Sequence, residues 1–337
     1  MIFSGEDMPR NFGDEHDNHK VFSYLKDIMA FYDTLSYSNY TPVDYASIAS
    51  KSKILNTAPY IYSSLAGTIE SIYVLLHNGR CNDAMSLVRK YCDSIILEIY
   101  IRILVKEIRN KVLEESFLDY IQNNAITKWI DAESRLLDEK DMKTVFGKIS
   151  TSFPALTNLF QLRDSKALYR KLRDLCNDNL HNNYLYTIIA NDAEMIRGQK
   201  RLRSVMMNNI FKSLSFFFSI HFAFIYCGDS NYMMSSDYID YLDCGSQPPE
   251  GSERWGAPSV ATAFDIVKNT VPNVADYLIG LDIMDTALSF KTKNRDIAPF
   301  TRFIVNRVIF MILYISNLSS CQNLIFFIFG TENEVVA

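Results

Sequence analysis

Arg170, Asp174, Asn177 and His181 recur at steps of four, three and four residues along YRKLRDLCNDNLHNN, the segment from Tyr169 to Asn183. At about 100° per residue those steps return to one face of a helix, so a single stripe carries a guanidinium, a carboxylate, an amide and an imidazole. Near neutral pH an imidazole can take a proton from a ribose 2′-hydroxyl or give one to a leaving oxygen. A guanidinium can hold a phosphate by two parallel N–H groups. The stripe is therefore suited to phosphodiester chemistry without a metal. His181 would carry the proton, Asn177 would orient the imidazole or the substrate, and Asp174 would hold an arginine or fix a tautomer. Arg173 flanks the stripe, about 80° from His181 around the axis, and reaches it if the helix ends near Asn179. The same four residues also describe a solvated helix face or a satisfied polar network.

Charge placement favours the chemical reading. The chain is net −5, yet Gln161 to Ser213 holds ten Lys/Arg against five acids. A local basic field on an acidic protein can bind a nucleic-acid backbone, with Lys171, Arg197, Lys200, Arg201 and Arg203 as the expected RNA contacts. Other chemistry finds little support. The six cysteines form no C-x-x-C pair, and the chain has no phosphate-binding glycine loop, no G-x-S-x-G and no H-E-x-x-H. His16 and His19 form an H-x-x-H with no third ligand in view, at an N-terminus expected to fray. Asp237, Asp240 and Asp243 lack the glycine-centred loop of a calcium site. No metal and no cofactor are expected. His221, within FFFSIHFAF, reads as a core histidine whose ring nitrogens find local partners.

The segment around Arg173, Asp174 and His181 resembles the signature of the HEPN superfamily (higher eukaryotes and prokaryotes nucleotide-binding). In these small helical bundles an arginine, a polar residue, a short spacer and a histidine form a metal-independent ribonuclease site. The helix AMSLVRKYCDSIILEIYIRI, Ala84 to Ile103, resembles the arginine- and acid-bearing helix of HEPN-like bacterial families, with Arg89 and Asp93 at the matching places. Seven residues separate Arg173 from His181, a longer spacer than the family's ribonuclease sites use, which brings in Arg170 as the substitute arginine. The resemblance implies RNA as the partner, a homodimer whose paired sites meet across the interface, and a role as a toxin, a phage-defence effector or an RNA-processing factor, with a regulatory protein partner compatible. It makes Asp93 the support of an arginine across the bundle. A plain Arg89–Asp93 salt bridge along one helix face is the simpler alternative. A non-catalytic scaffold and a membrane-acting effector are the other functional readings.

The elements that must position these residues are helical. Twelve glycines and nine prolines in 337 residues leave too few turns for a many-stranded sheet. Apolar periodicity predicts helices over Lys20–Leu35, Ala58–His77, Asp83–Asn110 and Ser165–His181, with Asn78-Gly79 as a stop and Asn82 as a cap. Weaker patterns cover Leu113–Arg135 and Met142–Gln161. One long helix is expected over Asp192–Tyr226, and further helices over Val260–Val271, Pro272–Ile279 and Ile297–Ile315. The expected organisation is all-α: a HEPN-like bundle over 1–228, an acidic linker or lid over 229–258, and a smaller C-terminal helical region over 259–337. Two uncharged apolar runs, Ser213–Gly228 and Val308–Gly330, are respectively too short and too polar at the centre to read as membrane spans. The acidic N-terminus lacks the apolar core of a signal peptide, so the expected location is the cytoplasm.

Overall fold

The computed structural model describes residues 12–37, 57–110, 125–136, short stretches between 145 and 160, 165–228, 246 and 258–280. The described part is 86% helical and contains no strand, an all-α fold. The expected helix Ile297–Ile315, the apolar run Val308–Gly330 and nearly all of the acidic segment lie outside the described residues.

In chain order the helices are α1 (Asp14–Asp17), α2 (Lys20–Tyr37), α3 (Thr57–His77), α4 (Cys81–Asn110), α5 (Ala125–Ile130), α6 (Ser165–Leu180), α7 (Leu185–Ile189), α8 (Ala193–Gly198), α9 (Lys200–Gly228), α10 (Pro258–Thr270) and α11 (Pro272–Gly280). Helix α3 packs between α2 and α4, α9 closes onto α4 and α2, and α6 lies along the outside of α4. Val260, Ala263, Val267, Val274, Ala275 and Leu278, from α10 and α11, join the same buried core. Ser213–Gly228 is the apolar second half of α9, buried within the protein over residues 213–225. Among the described residues no helix is long and apolar enough to cross a membrane.

A polar network runs through the middle of this core. The Glu98 carboxylate of α4 receives Arg102 Nε one turn along the same helix, Tyr62 Oη of α3 at 3.0 Å and His221 Nε2 of α9 at 3.1 Å. Arg102 also donates to Tyr62 Oη. His221 Nδ1 lies 2.8 Å from Tyr32 Oη of α2, which lies 2.9 Å from Tyr91 Oη of α4. Burial pushes His221 below its ordinary value against the opposing pull of Glu98, so its ring is neutral at pH 7. Nε2 then carries the proton toward Glu98, and Nδ1 accepts from Tyr32. Burial alone would raise the Glu98 carboxyl, but the Arg102 guanidinium, with help from His221, brings it down to about 2.

The turns show where tertiary contacts override periodicity. Gly79 takes φ +71° after α3, as the Asn-Gly pair predicts, and Arg80 N–H closes on Leu75 O at 2.8 Å. A Cβ there would collide with the ring of Phe12. Asn82, expected as a cap, instead lies inside the first turn of α4 and donates to Asn182 Oδ1 at 2.8 Å. The single helix expected over Asp192–Tyr226 is broken at Gln199 into α8 and α9. Buried Arg203 explains the break: it donates to the carbonyls of Ile196 (3.1 Å) and Arg197 (3.2 Å) at the end of α8, and to Phe12 O at 3.1 Å. The N-terminus is not frayed at His16, whose buried ring packs on Phe12 and Phe22.

Stability should fall as the solution is acidified. Burial, with Arg203 adding to it, holds His16 down to about 4, and His221 is also lowered from 6.5. Below pH 6.5 the unfolded chain therefore takes up protons that the native chain refuses, and stability drops. A second loss follows as pH falls from 4.5 to about 2, where the native Glu98 carboxylate at last takes up its proton. Urea midpoints across this range test the slope, and His16→Phe should flatten its upper part. Glu98→Ala should cost about 3–5 kcal/mol, because it strands Arg102 and His221 without their acceptor.

Candidate functional site at the α4–α6 seam

Helix α6 is amphipathic, and it docks by Leu172, Cys176 and Asn179, which are buried at steps of four and three. The chemical stripe faces the other way. Arg170, Asp174 and His181 are exposed, and Asn177 is half-buried. Two contacts fix the direction of α6 against α4: Asn182 meets Asn82, and Cys176 Sγ lies 3.7 Å from Met85 Sδ. As α4 ascends, α6 descends, so the helices are antiparallel.

That register joins the two segments on which the family resemblance rests. Arg89 lies one turn beyond Met85 on α4, and Arg173 lies one turn before Cys176 on α6, so the two residues stand at about the same height along the seam. Arg89 Nε pairs with Asp93 Oδ2 at 2.9 Å, the salt bridge anticipated from their spacing. Arg89 also faces α6. Burial raises the Cys176 thiol to about 12, while the Arg89 charge pulls it down and Asp93 pushes it up. One N–H-bearing nitrogen of each arginine, Nη1 of Arg89 and Nε of Arg173, is buried with no hydrogen-bond partner. Unfilled buried donors are rare, and each of these is one that an anion entering the seam would satisfy.

His181 occupies the far end of the seam. Helix α6 runs through Leu180 and stops in a left-handed turn at Asn182 (φ 51°), with Asn182 N–H to Asn179 O at 3.3 Å and Asn183 N–H to Asp178 O at 3.0 Å. The helix thus ends one residue past Asn179, close to where the reach of Arg173 to His181 required, yet the His181 N–H still bonds one turn back in helical register. Along the axis His181 stands roughly 12 Å from Arg173 and roughly 16 Å from Arg170. Within one chain the imidazole meets neither guanidinium. Asn177, one turn away, is its neighbour on the stripe, and its carbonyl accepts the His181 N–H at 3.0 Å.

Of the expected RNA contacts, Lys171, Arg197, Lys200 and Arg201 are exposed. Arg203 is not available, because its guanidinium is spent on three backbone carbonyls inside the protein. Among the described residues no three His, Cys, Asp or Glu side chains are grouped to hold a metal ion. Sequence reasoning missed the Glu98 network. The available signal was a carboxylate in the apolar run IILEIYIRI with an arginine four residues on.

Anion binding is directly measurable. Inorganic phosphate should raise the melting temperature of the wild type more than that of Arg89→Gln or Arg173→Gln, because only the intact seam offers both spare donors. Equal shifts in all three would reflect general salt stabilisation and no seat at the seam. Comparison with protein-family models, with curated proteins and with solved structures finds no match for this chain.

Proposed function

We propose that this chain is a metal-independent endoribonuclease of the HEPN type, acting as a homodimer. One observation carries the reading: the antiparallel seam brings Arg89 of α4 and Arg173 of α6 to about one height, each with an unfilled buried donor, and an exposed histidine directly follows α6. Bound RNA would place a phosphate against the arginines. His181 would take the proton of the 2′-hydroxyl as its oxygen bonds to phosphorus, and the P–O5′ bond would break with a proton delivered to the departing 5′-oxygen from solvent. The roughly 12 Å between Arg173 and His181 in one chain is what makes a second copy part of the proposal. A guanidinium from one protomer and an imidazole from the other would complete each site. The described cysteines, Cys81, Cys92 and Cys176, are buried thiols held in no disulfide, which accords with a cytoplasmic setting.

The same 12 Å separation favours a second reading, in which the seam binds RNA without cutting it. The two are separable. His181→Ala should lower cleavage of total RNA by about 10²–10⁴-fold while the melting temperature stays near that of the wild type. Arg173→Lys, which keeps charge and loses the planar fork, should also abolish cleavage, whereas Arg170→Lys should retain it. Mixing the His181→Ala and Arg173→Lys proteins should restore part of the activity if each site draws on two protomers. Unchanged cleavage in His181→Ala would remove the catalytic assignment. RNA binding with no cleavage by the wild type would establish the second reading.

A further inference from the structure

Three residues beyond His181, the rings of Tyr184 and Tyr186 stack on each other at 5.5 Å with 8° between their planes. Both stay in solvent, Tyr184 52% and Tyr186 39% exposed. Aromatic side chains normally bury their faces, so an exposed parallel pair is an unfilled surface for another flat ring. Neither the phosphate seat nor the proton transfer uses it. The pair sits where Tyr184 begins α7 in extended backbone (φ −136°, ψ 148°), directly after the turn that ends α6. Three residues of chain span at most about 11 Å, so the platform lies within a nucleotide or two of any phosphodiester held at His181.

We propose that Tyr184 and Tyr186 form a stacking platform for an unpaired base of single-stranded RNA, setting which strand conformation reaches His181; the proposal rests on the ribonuclease reading and narrows its substrate to unpaired RNA. Three features select this ligand over a protein partner. The stretch of chain that carries the pair, Gln161 to Ser213, holds ten Lys/Arg against five acids, with Lys171, Arg197, Lys200 and Arg201 exposed, and so complements a polyanion. The nearby carboxylate of Asp178 is engaged by Asn183 Nδ2 at 2.9 Å. The exposed aliphatic side chains of α7, Leu185 and Ile188, lie about 60° apart on a face turned roughly 100° or more from Tyr186, so the ring pair is not part of that apolar face. A base in a duplex is already stacked on both sides and cannot use the platform. An unpaired one gains a face.

The test is fluorescence anisotropy with a short labelled oligouridine and a duplex RNA of the same charge, in a His181→Ala background so that nothing is cut. Tyr184→Ala/Tyr186→Ala should weaken oligouridine binding roughly tenfold or more and leave the weak duplex binding unchanged. Tyr184→Trp/Tyr186→Trp should restore it, and unchanged helicity and melting temperature would show that both variants are folded. Wild-type-like oligouridine binding by the alanine pair overturns the platform while leaving the ribonuclease reading intact. If that variant also sediments at lower mass, the tyrosines belong to a protein interface. No RNA binding by the parent protein removes the ribonuclease reading and the platform with it.

Discussion

Glu98 is the constraint on which the bundle depends. A carboxylate taken out of water costs several kcal/mol unless its oxygens are filled, and here they are filled from three helices at once: Arg102 on its own helix, Tyr62 on α3 and His221 on α9. Tyr32 of α2 and Tyr91 of α4 extend the chain of hydrogen bonds through His221. Each donor reaches its acceptor in one register of the four helices only. A slip of one residue along α4 would turn Glu98 by about 100° into aliphatic packing and leave several polar groups stranded. Hydrophobic burial closes the bundle, and the network decides how it closes.

The consequence for the candidate site is geometric. Arg89 precedes Glu98 by nine residues, a rotation of about 180° around α4. The side of the helix that locks the core and the side that meets α6 are thus opposite faces of one rigid element. Fixing Glu98 fixes the azimuth of Arg89, and the contacts of Met85 with Cys176 and Asn82 with Asn182 then set the height of Arg173 and His181. The spare donors of the two arginines are held in place by packing and not by a flexible loop, which is the condition for recognising a phosphate at low entropic cost.

Apolar periodicity was enough to place α2, α3, α4, α6, α10 and α11, because each turns an apolar stripe to the core, α4 burying a second face under α6 as well. It failed where a long-range contact decided the outcome. The break at Gln199 depends on Arg203 reaching back to Ile196 and Arg197 and across to Phe12, which no local pattern displays. Asn82 is a good cap by residue type, yet Asn182, a hundred positions away, claims its amide. The site was half legible. The Arg170–His181 stripe was readable from its spacing, but the stripe faces solvent, and the partner of α6 is the opposite face with Leu172, Cys176 and Asn179. That Arg89 would stand opposite Arg173 required the antiparallel register. The exposure of Tyr184 and Tyr186 was hidden because an apolar run reads as buried until the turn at Asn182 is seen to point it outward.

A site made from imidazole and guanidinium should cut RNA by attack of the neighbouring 2′-hydroxyl, and the end groups of the products record that chemistry. The direct measurement is digestion of a defined RNA by the full chain in excess EDTA, with the ends identified by mass and one matched RNA carrying a single 2′-deoxyribose at the cut position. Fragments ending in 2′,3′-cyclic phosphate, with no cut at the deoxy position, are expected. Cleavage that needs a divalent metal, or that proceeds equally through the deoxy position, would contradict the role given to His181 and the seam arginines.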